Sequence, residues 1–286
     1  MRKLNIETFL GCDTPFDAAD VVLFGAPFDS TTSYRPGARF GSRAMRVEAY
    51  GIESYSPYQG KDLCSLAVCD VGDLELGMGA PQPMLAQIEQ CTGEILDSGK
   101  LPVMLGGEHL VTLGAIRAQA KRHPDLHILH LDAHADLRDD YLGQKLSHAT
   151  VMRRAWELVG DGRIHQFGIR SGDKTEFDWA DGHVAMHRFD LNGIEQCIAS
   201  LTGKPVYITI DLDVLDPSVF PGTGTPEAGG IGFLPLLGAI ITMGSLSVTG
   251  CDLVELCPAY DQSGVSTAVA CKLLRELLLA VGPVKP

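Results

Sequence analysis

Short apolar runs recur along the chain, and between them lie longer stretches whose apolar positions fall three and four residues apart. The runs Val21–Gly25, Leu66–Asp70, Leu101–Leu105, Leu126–Leu131, Ile164–Ile169, His183–Ala185, Val206–Ile210 and Leu246–Leu253 read as strands. Gln82–Asp97, Leu110–Arg122, Thr150–Val159, Ile194–Leu201, Leu234–Met243 and Val265–Val281 carry helical periodicity. Strand and helix therefore alternate, and most of the strands lack a polar face. That combination predicts an α/β fold: a mostly parallel sheet between two helical layers, a three-layer αβα sandwich. No repeat, low-complexity tract or linker marks a boundary, so residues 1–286 are expected to form a single domain.

Polar residues break this pattern where strands should stop. Leu126–Leu131 runs into Asp132-Ala-His134-Ala-Asp136, Pro205–Ile210 runs into Asp211-Leu-Asp213, and Leu101–Leu105 runs into Gly106-Gly107-Glu108-His109. Charges at the end of a buried strand are costly unless something neutralises them. In extended chain, residues two apart point the same way, so each cluster can converge on one point. Such strand ends are where open parallel sheets bind ligands. His109, Asp132, His134, Asp136, Asp211 and Asp213 are thus six candidate metal ligands, and four aspartates balance two divalent cations. Carboxylates with two imidazoles and no thiolate suit Mn²⁺ better than a structural zinc. A solvated turn explains one D-x-H-x-D or D-x-D well, but not three clusters that each follow a strand.

Composition narrows the rest. With 45% apolar residues the chain can bury a large core, while a net charge of −13 disfavours nucleic acid as a partner. The eight cysteines (12, 64, 69, 91, 197, 251, 257 and 271) include no C-x-x-C pair and read as free thiols of a reducing compartment. Met1–Glu7 lacks the apolar stretch of a signal peptide, and Lys272, Arg275 and Glu276 interrupt the apolar Thr267–Val281. A cytoplasmic protein without a membrane partner is expected.

The motifs resemble those of the ureohydrolase family, which comprises arginases, agmatinases and related guanidino-acid hydrolases. The resemblance rests on Gly106–His109, Asp132–Asp136, Ser147-His148, Ile210–Pro217, Pro221–Gly230 and Asp252–Pro258, in order, and covers nearly the whole chain. Thr31–Ala44 is similar to the agmatinase branch. Glu108, where many members carry Asp, and Leu110, where Ser is common, depart from the pattern. The resemblance implies two Mn²⁺ ions per subunit and a hydroxide between them. One ion would be held by His109, Asp132, Asp136 and Asp211, the other by Asp132, His134, Asp211 and Asp213. It also implies that Glu255 grips the guanidinium, that Asp136 relays a proton, and that His148 shuttles protons to solvent. No organic cofactor is implied. A homo-oligomer, trimer or hexamer, follows from the resemblance alone.

Simpler readings stand beside these. His148 can pack or cap the helix near Thr150, with Ser147 as the cap. Glu255 can pair with an arginine inside the fold. Arginines 35, 39, 43 and 46 read as a solvated or intersubunit face, and Pro221–Gly230 as a rigid loop in which Glu227 is a weaker contact for a distal amine. The loop Leu137–His148 looks like that of agmatinases. Asp139 and Asp140 would tolerate a cationic tail, with Arg138 and Lys145 nearby working against that. The expected reaction is agmatine plus water giving putrescine and urea. Alternatives are arginase, guanidinobutyrase, guanidinopropionase or formimino-amino-acid hydrolase activity, and a metal-binding homologue without catalysis.

Overall fold

The computed structural model describes residues 7–77 and 79–283. Most of the N-terminal segment read for a targeting signal, Met1–Ile6, lies outside the described residues. The described residues form ten strands: β1 (Val21–Ala26), β2 (Tyr55–Ser56), β3 (Lys61–Asp62), β4 (Val68–Asp73), β5 (Leu101–Gly106), β6 (His127–Leu131), β7 (Ile164–Ile169), β8 (Ala185–Arg188), β9 (Pro205–Asp211) and β10 (Ser247–Val254). The helices are α1 (Gly41–Glu48), α2 (Pro81–Asp97), α3 (Thr112–Arg122), α4 (Val151–Val159), α5 (Lys174–Ala180), α6 (Ile194–Ser200), α7 (Phe233–Met243) and α8 (Val265–Val281).

Eight strands form one sheet in the order β4-β1-β5-β10-β9-β6-β7-β8, every pairing parallel; β2 and β3 make a small separate hairpin. Alternate residues of each strand feed two apolar cores. Val21 and Leu23 join the side covered by α1, α6, α7 and α8, whereas Val22 and Phe24 join the side covered by α2, α3 and α4. Both faces are buried, and the expected α/β sandwich is observed. Parallel strands bring their C-terminal ends to one edge, so the segments after β5, β6, β9 and β10 gather there.

The differences from the sequence reading have physical causes. Strand β8 spans Ala185–Arg188 rather than His183–Ala185. It is a half-buried edge strand paired only with β7, so its hydrophobic signal is weak. Helix α5 was not expected because its seven residues are mostly polar. Its start is fixed by a capping box in which Asp173 accepts from Thr175 and Glu176 while Glu176 accepts from the Asp173 amide. Helix α1 was also missed, and Arg46 within it is not on a solvated face. Its guanidinium is buried and pairs with Asp70 (2.8 Å) and Asp73. Arg39 likewise pairs with buried Asp29.

Candidate active site

Three strand ends and one loop bring the six expected ligands together. His109 opens a turn just after β5. Gly107, before it, packs so close to the Phe28 backbone that a Cβ would collide with the Phe28 carbonyl oxygen. Close approach, rather than a left-handed turn, therefore requires glycine there. Asp132 follows β6 and Asp211 ends β9. Asp136 sits at φ 53° and Glu255, the residue after β10, at φ 66°. Only four non-glycine residues among those described have positive φ, and two of them are here. Such strain persists where the surroundings hold it in place.

The side chains form two clusters around a shared carboxylate. His109 Nδ1 lies 3.0 Å from Asp132 Oδ2, 3.2 Å from Asp136 Oδ2 and 3.4 Å from Asp211 Oδ2. His134 Nδ1 lies 3.0 Å from Asp213 Oδ2 and 3.5 Å from Asp132 Oδ1. One oxygen of Asp132 thus faces each imidazole. Backbone amides hold these carboxylates in place: His134 N–H donates to Asp132 Oδ1 (2.6 Å), Asp213 N–H to Asp211 Oδ1 (2.9 Å) and Ala133 N–H to Asp213 Oδ1 (3.2 Å).

This arrangement does not neutralise itself. His109 Nδ1 and Asp213 Oδ2 are buried without a hydrogen-bond partner. His109 Nε2 meets Thr209 Oγ1 at 3.0 Å, and that hydroxyl already donates to Asp252, so the histidine proton resides on Nε2. Nδ1 then faces three carboxylate oxygens, an arrangement that is repulsive for a bare lone pair and calls for a metal cation or, without one, a second proton. The electrostatics agree. Burial opposes a charge on His109, yet Asp132, Asp136 and Asp211 outweigh it and raise its pKa well above the usual value. Burial, then the charge of Asp132, pushes Asp136 up to about 7, against the pull of His109. Burial together with Asp213 and Asp132 raises Asp211 well above the ordinary range. The donor set, hard oxygen plus imidazole nitrogen, fits divalent manganese or a similar ion.

Above the clusters is a cavity of about 210 Å³ whose lining includes Glu255, His148, Ser33, Arg138, Tyr141 and Glu176. The His109 amide donates to Glu255 Oε1 (2.8 Å). Burial, followed by the charge of Glu108, raises the Glu255 pKa strongly, so a cationic ligand would complete its balance. His148 is pushed down to about 4, chiefly by burial, and is neutral at pH 7. Its amide donates to Thr31 Oγ1 (3.0 Å) and its Nε2 lies 3.3 Å from Ser33 Oγ. Ser147 is indeed the cap of the turn that carries it. Glu108 turns to the Thr31–Ser33 loop. It is fully buried and accepts from the Thr31 amide (2.9 Å) and the Thr32 hydroxyl (3.0 Å), tying the Thr31–Ser33 loop over the site. The Asp-to-Glu departure therefore bears on this loop.

Asp139 and Asp140 do not line the cavity. Asp139 pairs with Arg154 (2.7 Å) and Asp140 accepts from Gly143 in a turn. The residues of that loop that do line it are Arg138, Tyr141 and His148, and Arg138 is bound to Asp173 (2.6 Å) and lies 3.4 Å from Glu176. Glu227 stands at the rim, 2.8 Å from Ser171 Oγ and 3.8 Å from His134 Nε2.

Residues 19–280 match the arginase family. The chain belongs to that family. It is 46% identical over 277 residues to an agmatinase of Bacillus subtilis (strain 168), with 96% of each chain covered. It is 37% identical over 275 residues to a guanidinobutyrase of Pseudomonas aeruginosa, covering 92% of this chain and 86% of that protein. Among solved structures, the agmatine ureohydrolase of Thermoplasma volcanium superposes with a TM-score of 0.90 at 35% identity, over 97% of this chain and 95% of that one. The chain is a ureohydrolase with a family-type cluster of histidines and aspartates. No helix among the described residues is long and apolar enough to cross a membrane.

Proposed function

We propose that this ureohydrolase is an agmatinase that hydrolyses agmatine to putrescine and urea with two Mn²⁺ ions. The observation that carries the reading is the pair of carboxylate–imidazole clusters sharing Asp132 beneath the carboxylate of Glu255. His109, Asp132, Asp136 and Asp211 would hold one ion; His134, Asp132, Asp211 and Asp213 the other. Bound there, the ions supply Lewis-acid activation of water near neutral pH, which a guanidinium needs because its carbon is a poor electrophile.

The chain's own groups do the rest. Glu255, anchored through Oε1 by the His109 amide, binds the guanidinium and places its carbon over the clusters. Asp136, facing His109 Nδ1 at 3.2 Å and lining the cavity, relays a proton from the attacking water to the departing amine. His148, neutral and beside Ser33, exchanges protons between the cavity and solvent. The tail of the substrate extends toward Arg138, Tyr141 and Glu176. Arg138 is an argument for a carboxylate tail, as in a guanidinobutyrase, but its guanidinium is engaged by Asp173 and Glu176. That engagement, and the similarity to agmatinases, favour an amine.

Urea release by the Mn²⁺-loaded protein should be measured with agmatine, arginine, guanidinobutyrate and guanidinopropionate side by side. A kcat/KM for agmatine about a hundredfold above the others is expected, on the order of 3 kcal/mol of discrimination. A preference for a carboxylate-bearing substrate would overturn the substrate assignment and leave the metal chemistry standing. Self-association into trimers or hexamers, proposed on the same family grounds, is read from the mass of the native particle. Residence in the cytoplasm is proposed on the eight free thiols.

A further inference from the structure

Four polar side chains lie in one row across the centre of the sheet, each fully buried: Gln166 on β7, His130 on β6, Thr209 on β9 and Asp252 on β10. Strand register sets them side by side, since His130 pairs with both Gln166 and Thr209, and Thr209 pairs with Asp252. The next residue of the row, on β5, is the apolar Met104. Two of the four stand two positions before a carboxylate of the clusters, His130 before Asp132 and Thr209 before Asp211. They lie one layer beneath those carboxylates on the same face of the sheet.

Hydrogen bonding fixes the protons of this row. The Gln166 amide nitrogen is 2.8 Å from the Ala135 carbonyl, which can only accept, and 2.9 Å from His130 Nδ1. Turning the amide over would press two oxygens together, so Nε2 of Gln166 donates to both even though its Oε1 finds no partner. His130 Nδ1 is therefore an acceptor, and its Nε2–H donates to Asp132 Oδ2 at 2.8 Å. Both ring nitrogens are used, so His130 is not a seventh ligand despite lying with His109 and Asp132 in one metal-compatible group. At the other end, Asp252 accepts from Tyr207 and Thr209 hydroxyls, each at 2.6 Å. Thr209 Oγ1 then has only a lone pair for His109, which turns the His109 Nδ1 lone pair to the cluster.

We propose that the row Gln166–His130–Thr209–Asp252 is a positioning layer that fixes the proton placement of His130 and His109 and thereby sets the affinity of both cation positions above it. The inference rests on the dinuclear reading given above. Outer partners of this kind typically change metal affinity by about ten- to a hundredfold. The two ends act differently. Asp132 faces both clusters, so loss of the Gln166–His130 tie weakens both ions; His109 faces one, so loss of the Thr209 hydroxyl weakens one.

The test is Mn²⁺ titration of the metal-stripped full chain by calorimetry, with free Mn²⁺ counted by electron paramagnetic resonance. Gln166→Leu should weaken both ions, and Thr209→Val one of the two, by about tenfold or more. Thr209→Ser, which keeps the hydroxyl, should bind like the parent, as should Met104→Leu in the same row. Melting of each metal-free variant shows whether it folds. Two ions bound by Gln166→Leu and Thr209→Val with parental affinity would overturn the proposal, as would equal losses in Met104→Leu. Failure of the parent to bind two Mn²⁺ would instead overturn the dinuclear reading on which the proposal stands.

Discussion

Strand β6 and the loop after it carry three histidines, and the two ends of the strand treat them oppositely. His134, past the C-terminal end, meets Asp132 and Asp213, which overcome burial and raise its pKa well above the usual value. His127, at the N-terminal end, meets another imidazole: its Nδ1 lies 3.2 Å from His165 Nε2. Burial lowers its pKa, and the charges of Lys204 and Arg163 lower it further. His130, between them, has both nitrogens committed to neutral or acceptor partners. Residue type and spacing are nearly the same at all three positions. What differs is whether carboxylates surround the ring, and that depends on which other strand ends arrive beside it.

The comparison breaks most sharply on metal removal. Stripping divalent ions with a chelator should abolish urea release and lower the melting temperature, because ions that bind only the folded chain stabilise it by mass action. Re-addition of Mn²⁺ should restore both, while a His127→Gln variant should respond like the parent. A chelated protein that retains full activity would break the distinction between the two ends. Next in size, Glu255→Gln removes the charge that faces the substrate and leaves the clusters in place. A loss of about a hundred- to a thousandfold in kcat/KM is expected, with Mn²⁺ stoichiometry unchanged. His148→Asn should lower kcat by about a hundredfold, the usual scale for a positioned proton carrier. An added small imidazole should recover part of that loss; a variant with parental kcat would return His148 to a packing role.

How much of this was legible in the sequence follows from the same contrast. The six residues of the clusters announced themselves because charge after a buried strand demands compensation, and the fold places all three strand ends at one edge. The polar row beneath them did not, because single polar residues inside apolar runs (His130 in LHILHL, Thr209 in PVYITI, Gln166 in IHQFGI) read as noise until register aligns them. The signal was present as a polar residue two before a cluster aspartate on two separate strands. Charge proximity misled in the loop after the first motif: Asp139 and Asp140 are close in sequence to the site yet turn to Arg154 and to the loop backbone. Arg46 failed for the opposite reason. Its partners Asp70 and Asp73 lie on a strand more than twenty residues away, so nothing local distinguished it from a solvated arginine.

The smallest expected effect probes the N-terminal end of the strands. Burial, then the charges of His127, Lys204 and His187, pushes His165 down to about 4. Asp125, which acts on His127, is the acid set against this group of cations. An unfolded histidine titrates near 6.5, so between about pH 6.5 and 4 the unfolded chain takes up a proton that the folded chain refuses. The folded state is accordingly stabilised least in acid: this contribution is a loss that grows as the pH falls through that window and is absent above it. Because part of the ring meets solvent, the full shift overstates the effect, and about 1–2 kcal/mol is expected. His165→Gln should remove that slope. Urea unfolding of metal-free parent and variant from pH 4 to 8 checks it, since acid effects at the cluster end are common to both chains and cancel in the difference. Parallel curves would show that the paired imidazoles share their proton without strain, and that only the carboxylate-bearing end of the strands is sensitive to acid.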